Sequence, residues 1–63
     1  MLELDYLFRR FLDQQYDNQS EENKKIFRSL LAETDPQLFH WLMTAPESAP
    51  EIYQPLLDAI RRG

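Results

Sequence analysis

The sequence predicts an all-α fold, a small helical bundle of about four helices, and two observations carry that prediction. Apolar residues recur at three- and four-residue steps along most of the chain, which marks one face of an α-helix and not the alternation of a strand. Polar or proline-containing breaks then fall at Asp17 to Ser20, Thr34 to Pro36 and Ala45 to Pro50, leaving four helix-length pieces between them.

The first piece runs from about Leu2 to Tyr16, with Leu4, Leu7, Phe8, Phe11, Leu12 and Tyr16 forming a single wide stripe. Asp5, Arg9 and Asp13 stand four apart on what should be its solvated face. No cap residue precedes that stripe, so the sequence leads us to expect a missing beginning, a late start site, or an oligomer that covers the opening residues. After the break, Ser20 can accept a hydrogen bond from an orphan amide of the second helix, whose positive end suits Glu21 and Glu22. This helix runs to about Glu33 and should bury Ile26, Phe27, Leu30 and Leu31, with Glu21 paired to Lys25.

Asp35 is expected to cap the third helix, with Pro36 at its first position, where a missing amide costs nothing. Leu38, Phe39, Trp41, Leu42 and Met43 make this segment apolar on most sides, so it should sit centrally. Ala45 to Pro50 reads as a loop. A last helix, from roughly Glu51 to Arg62, should turn Ile52, Leu56, Leu57 and Ile60 inward. Pro55 leaves two options there: a kink, if the helix starts at Pro50, or a fresh cap at Gln54 followed by about two regular turns. Arg61 and Arg62 complement the negative end of the helix, and Gly63 reads simply as the terminus.

Length and composition restrict what such a bundle can do. The 63 residues allow one domain, covering 1–63. A chain this short buries about 60% of its unfolded surface and gains roughly 3–5 kcal/mol from its core. With no cysteine, disulfides and thiolate metal sites are both excluded, and one histidine cannot build a structural zinc site. Seven basic residues against eleven acidic ones give a formal charge of −4, the wrong sign for nucleic-acid binding. The basic residues also come as isolated pairs, Arg9–Arg10, Lys24–Lys25 and Arg61–Arg62, diluted by acids. Apolar runs of two or three residues fall far short of the roughly 20 needed for a membrane span. No secretory signal is evident at Met1, and together with the lack of cysteine this leads us to expect a cytoplasmic setting.

Chemistry is equally poorly supplied. His40 is the one side chain suited to proton transfer near neutral pH, and its setting between Phe39 and Trp41 reads as an ordinary boundary histidine. The only glycine is Gly63, so no phosphate-cradling loop exists, and no serine stands in a nucleophile context. The acid pairs Glu3 with Asp5 and Glu21 with Glu22 lie near helix starts, where acids are expected. No catalytic residue, no metal site and no cofactor of its own is therefore expected. Phe8, Phe11, Phe27, Phe39 and Trp41 stand at core spacing. Tyr6, Tyr16 and Tyr53 are less committed, since a tyrosine packs its ring while its hydroxyl reaches water. Tyr16 beside Asp17, at the break between the first two helices, is the strongest candidate for a partly exposed functional spot.

One further property is the order of motifs. Met1-Leu2-Glu3-Leu4-Asp5, Phe11-Leu12, Tyr16-Asp17, Lys24-Lys25-Ile26-Phe27, Leu30-Leu31 and Asp35-Pro36-Gln37-Leu38-Phe39-His40-Trp41-Leu42 fall in one register. Over nearly the whole chain, from Met1 to about Ile60, this resembles the succinate dehydrogenase assembly factor 2 family of flavinylation factors. Asp35-Pro36 with Leu38 and Trp41-Leu42 is the most specific element. The resemblance implies a non-catalytic chaperone, usually of five helices, that binds the flavoprotein subunit of succinate dehydrogenase or fumarate reductase and promotes covalent FAD attachment. It also implies that Glu3 is the glutamate of the family's Arg-Gly-x-x-Glu signature, with Met1 and Leu2 at the variable positions. The arginine and glycine would then precede Met1, and most of the family's N-terminal helical segment with them.

Partner binding is accordingly expected at Glu3, with Asp5, Tyr16 and Asp17 on a neighbouring surface, grouped by a shared end of the first helix. Gln19, Asn23, Pro46 and Pro55 depart from the family pattern. The first two should weaken a hydrophobic staple and a capping box at the second helix. The alternative function is a non-catalytic helical interaction module, self-associating, with the flavinylation role impaired or lost.

Overall fold

The computed structural model describes residues 2–63. Helix α1 spans Leu2–Gln14 and is followed by a 3₁₀ turn, Tyr16–Asn18. Helix α2 spans Glu21–Leu31, and α3 is the short Asp35–Phe39 segment, which continues directly into a wider π-type turn at His40–Thr44. Two 3₁₀ turns, Pro46–Ser48 and Glu51–Tyr53, lead into α4 at Gln54–Arg62. Among the described residues there is no strand, so the expected bundle of about four helices is what the chain forms. It measures 27 × 24 × 20 Å.

The core is one cluster built from every helix: Leu4 and Phe11 of α1, Phe27 and Leu30 of α2, Leu38, Trp41 and Leu42 of the third segment, and Leu56, Leu57 and Ile60 of α4. Ala49, which the sequence left in a loop, is buried with them. Phe27 is the hub. Its ring centroid lies 5.0 Å from Phe11, 5.5 Å from Tyr16 and 6.1 Å from Phe8, joining α2 to the later part of α1 and the turn that follows it. No polar or charged residue is buried as a whole among the described residues, so the core cluster itself rests on shape and apolar area.

The helix starts differ from expectation in instructive ways. Ser20 caps α2 as predicted, its Oγ accepting the Asn23 amide at 3.0 Å. The two departures from the family pattern at this end turn out to be partners: the Asn23 side-chain amide donates to Gln19 Oε1 at 3.0 Å, and Gln19 Nε2 donates to the Gln15 carbonyl at 3.3 Å. A polar clasp thus replaces the apolar staple and carboxylate capping box. Glu21 pairs with Lys24 at 3.8 Å and not with Lys25, because Lys24 is also drawn over the Tyr16 ring, 5.4 Å from its centroid.

At α3 the cap is Thr34, one residue earlier than expected. Its backbone is extended, its Oγ1 accepts the Gln37 amide at 3.4 Å, and its carbonyl accepts the Leu38 amide at 2.9 Å. Asp35 therefore lies inside the first turn, where a carboxylate favours the helix dipole as well as it would from the cap. The expected regular third helix instead widens after Phe39, and the Ala45 amide reaches back five residues to the His40 carbonyl at 2.7 Å. Pro46, having no amide, ends the run there.

Pro55 takes the second of its two options. A separate 3₁₀ turn closes with the Tyr53 amide on the Pro50 carbonyl at 3.0 Å, and α4 starts afresh at Gln54 with Pro55 in its first turn. Gln54 is not the cap, however. Its side-chain amide reaches outward to the Ala49 carbonyl at 2.9 Å and the Glu47 carbonyl at 3.4 Å, fixing the preceding loop. The tighter turn changes the facing of its residues, so Tyr53 packs on Trp41 at 5.6 Å while Ile52 points outward, 59% exposed. Leu12, Leu31 and Met43, also expected inside, are each 44% exposed because the apolar stripes are wider than the surface that covers them.

Candidate protein-binding surface

Helix α1 carries Glu3 and Asp5, two of the charged side chains that the sequence singles out, and the interior fixes how it presents them. Leu4 and Phe11 anchor its inner face, which leaves Glu3 and Asp5 exposed in the first turn. Asp17 is exposed in the 3₁₀ turn that follows α1. Tyr16 is half-buried: its ring rests on Phe27, and its hydroxyl accepts a hydrogen bond from the Arg28 guanidinium at 3.1 Å. Tyr16 is therefore committed to holding the α1–α2 corner, with only one edge turned to solvent.

The four residues do not share one end of the helix. Asp5 and Tyr16 are separated by three turns, about 16 Å along the axis. Glu3 with Asp5, and Tyr16 with Asp17, bracket α1 from opposite ends, which corrects the basis on which they were grouped.

Among the described residues, solvent-open grooves cross the surface, and three of them are well defined. The largest, about 480 Å³, follows the α1–α2 seam and is lined by Asp5, Phe8, Arg9, Leu12, Asp13 and Leu31. A second lies between Pro46, Glu47, Gln54, Leu57, Asp58 and Arg61. A third is formed by Tyr6, Arg9, Arg10, Asp13 and Gln14. His40 lines none of the three and is exposed. Among the described residues, no group of three or more histidines or carboxylates could hold a metal ion. No described helix is long and apolar enough to cross a membrane. What the molecule offers is a charged, shallow exterior, which suits protein contact better than enclosure of a small substrate.

Sequence reasoning missed a clamp between the two ends of the chain. Arg10 turns inward from the edge of the α1 stripe and donates to the carbonyls of Ile60 at 3.1 Å and Arg61 at 3.0 Å. Gln15 donates to the Ala59 carbonyl at 3.2 Å. The Ile60 and Arg61 carbonyls lie at the C-terminal end of α4, where no helical amide reaches them and a cation is the favoured group. Gly63 is part of the same device and not merely a terminus. Its φ of +75° is the left-handed geometry of a helix C-cap, its amide bonds the Ala59 carbonyl at 3.1 Å, and a Cβ on it would come within 2.4 Å of the Arg10 guanidinium carbon. The signal available in advance was position: Arg10 lies one residue before Phe11 and three after Leu7, on the flank of the buried stripe.

Comparison with known proteins gives the family. The family model described as "Flavinator of succinate dehydrogenase" matches residues 1–63. A protein of Idiomarina loihiensis named "FAD assembly factor SdhE" is 58% identical over 43 residues, covering 68% of this chain and 48% of that protein. Its namesake in Shewanella oneidensis is 51% identical over 43 residues, again 68% of this chain and 52% of the relative. The protein of the same name in Mannheimia succiniciproducens is 42% identical over 60 residues, 95% of this chain and 70% of its own length. The chain thus spans about half the length of the first two relatives. No solved structure matches. All-α over its described residues and matched over residues 1–63 by one family model, the chain belongs to the family of succinate dehydrogenase flavinators.

Proposed function

We propose that this protein is a non-catalytic assembly factor that binds the flavoprotein subunit of succinate dehydrogenase or fumarate reductase and promotes its covalent flavinylation. The observation that carries this reading is the family match over all 63 residues, joined to relatives whose names specify FAD assembly. The chain's own chemistry supports it. The exposed acids at the first turn of α1 and at the turn after it supply a charged contact surface for such a partner.

The mechanism is a population shift. A factor that binds one conformation of the flavoprotein more tightly than others raises its share by that difference in affinity, and nothing more. The favoured conformation is the one in which the enzyme's own histidine and the flavin are placed to react. FAD is then the client's cofactor, and the factor holds none. Glu3 and Asp5 in the first turn of α1 are the proposed contacts at one end of that helix, with the exposed edge of Tyr16 and Asp17 at the other. The proposal places the protein in the cytoplasm.

The test is flavinylation of the apo-flavoprotein with FAD in the presence and absence of this chain, read by in-gel flavin fluorescence. The proposal requires a higher yield with the chain, and a lower one with Glu3→Ala, whose exposed position leaves the fold intact. Equal yields with and without the chain would refute it.

A further inference from the structure

The outer face of α1 has an arrangement that extends beyond the proposed flavoprotein contacts and shares only Asp5 with them. Leu2, Asp5, Arg9 and Leu12 recur at steps of three, four and three, so they lie along one side of the helix. All four are exposed, Leu2 to 85% and Leu12 to 44%. The intrahelical pairs that the spacing of Asp5, Arg9 and Asp13 invites do not form: none of the three makes an ion pair with another described residue. The face therefore ends in a leucine at each side, with an unpaired acid and an unpaired base between them.

We propose that this face pairs with a second copy of the same chain, the two α1 helices antiparallel about a two-fold axis at the level of Leu7. That register sets Leu2 against the partner's Leu12, Asp5 against the partner's Arg9, and the reciprocal contacts follow by symmetry. A two-fold interface must be complementary to itself, and this one is in both its apolar and its charged positions. Leu12 also borders the groove closed on its far side by Phe8 and Leu31, which gives the incoming Leu2 an apolar seat. Centring the axis on Arg9 instead would oppose arginine to arginine and Asp5 to Asp13, so the charges select the register while leucine burial drives association. Two exposed ion pairs add little affinity, and each copy carries a formal charge of −4, so the dimer is a weak one. Because Asp5 serves both surfaces, a second copy and the flavoprotein would compete for this end of α1.

Sedimentation equilibrium of the chain from micromolar to millimolar concentration tests the pairing. The mass should rise towards two copies within that range. Asp5→Arg and Arg9→Asp each place like charges opposite one another twice, and each should weaken dimerisation at least tenfold while retaining far-UV helicity. An equimolar mixture of the two variants should dimerise again, as should the double variant carrying both changes, because each restores opposite charges in the same register. A mass of one copy throughout, single variants that dimerise as the parent does, or a mixture that stays monomeric would overturn the proposal. So would charge reversals that alter flavoprotein binding alone, since the face would then belong to that partner. Flavinylation is not part of the readout, so failure here leaves the assembly role standing.

Discussion

Two adjacent arginines give a sharp test of the clamp between α1 and α4. Arg9 is exposed, whereas Arg10 is half-buried and holds the carbonyls of Ile60 and Arg61. Replacing Arg10 by Met keeps most of the aliphatic stem and removes the guanidinium. Hydrogen bonds from a charged donor contribute roughly 1.5–3 kcal/mol, and the lower part of that range applies here because the end of α4 can partly rehydrate. The expected loss is about 1.5–2 kcal/mol, a large share of the roughly 3–5 kcal/mol available to a domain of this size. At about 4–8 °C per kcal/mol, the midpoint of thermal unfolding should fall by about 6–16 °C. Arg9→Met, lacking such contacts, should stay within about 0.5 kcal/mol of the parent. Urea titrations followed by far-UV circular dichroism at micromolar concentration measure both. If the two variants are equally stable, the Arg10 hydrogen bonds do not hold the fold and the clamp is wrong.

Phe27→Ala removes the hub ring and should cost about 3–5 kcal/mol, equal to the whole reserve, so its far-UV spectrum should be that of an unfolded chain at room temperature. Ser20→Ala deletes the side-chain cap of α2 and should cost about 1 kcal/mol in a urea titration, with the helix otherwise retained. Tyr16→Phe loses only an exposed hydrogen bond to Arg28 and should change stability by less than about 0.5 kcal/mol. A drop in flavoprotein affinity for that variant, measured by calorimetry, would place the hydroxyl in the interface, and unchanged affinity would confine it to packing.

Periodicity located the helices and most of the interior because those features follow from local spacing. Phe11, Phe27, Leu30, Leu38, Leu42, Leu56, Leu57 and Ile60 all lie where their three- and four-residue steps put them. The misreadings fall where the backbone leaves that period. A 3.6-residue repeat turns Ile52 inward, but it sits in a 3₁₀ turn, and the third helix widens at His40. Thr34 and Asp35 are both good caps, and only the actual hydrogen bond to Gln37 separates them. The surface was less legible than the core. Glu3 and Asp17 are as exposed as a binding role needs, but the turn count of α1 sets them apart, and spacing alone gave no reason to join them. Arg10 and Gly63, fifty-three positions apart, meet through tertiary geometry that no local pattern records.

The clamp also bears on how this chain opens. Helix α4 has nine residues, too few to persist in water unaided. Its final carbonyls are answered from α1, so fraying of its last turn and detachment of the first helix become one event. Amides of α4 should therefore exchange with solvent at nearly the rate of complete unfolding, short as that helix is. Helices α1 and α4 share a single cooperative fate.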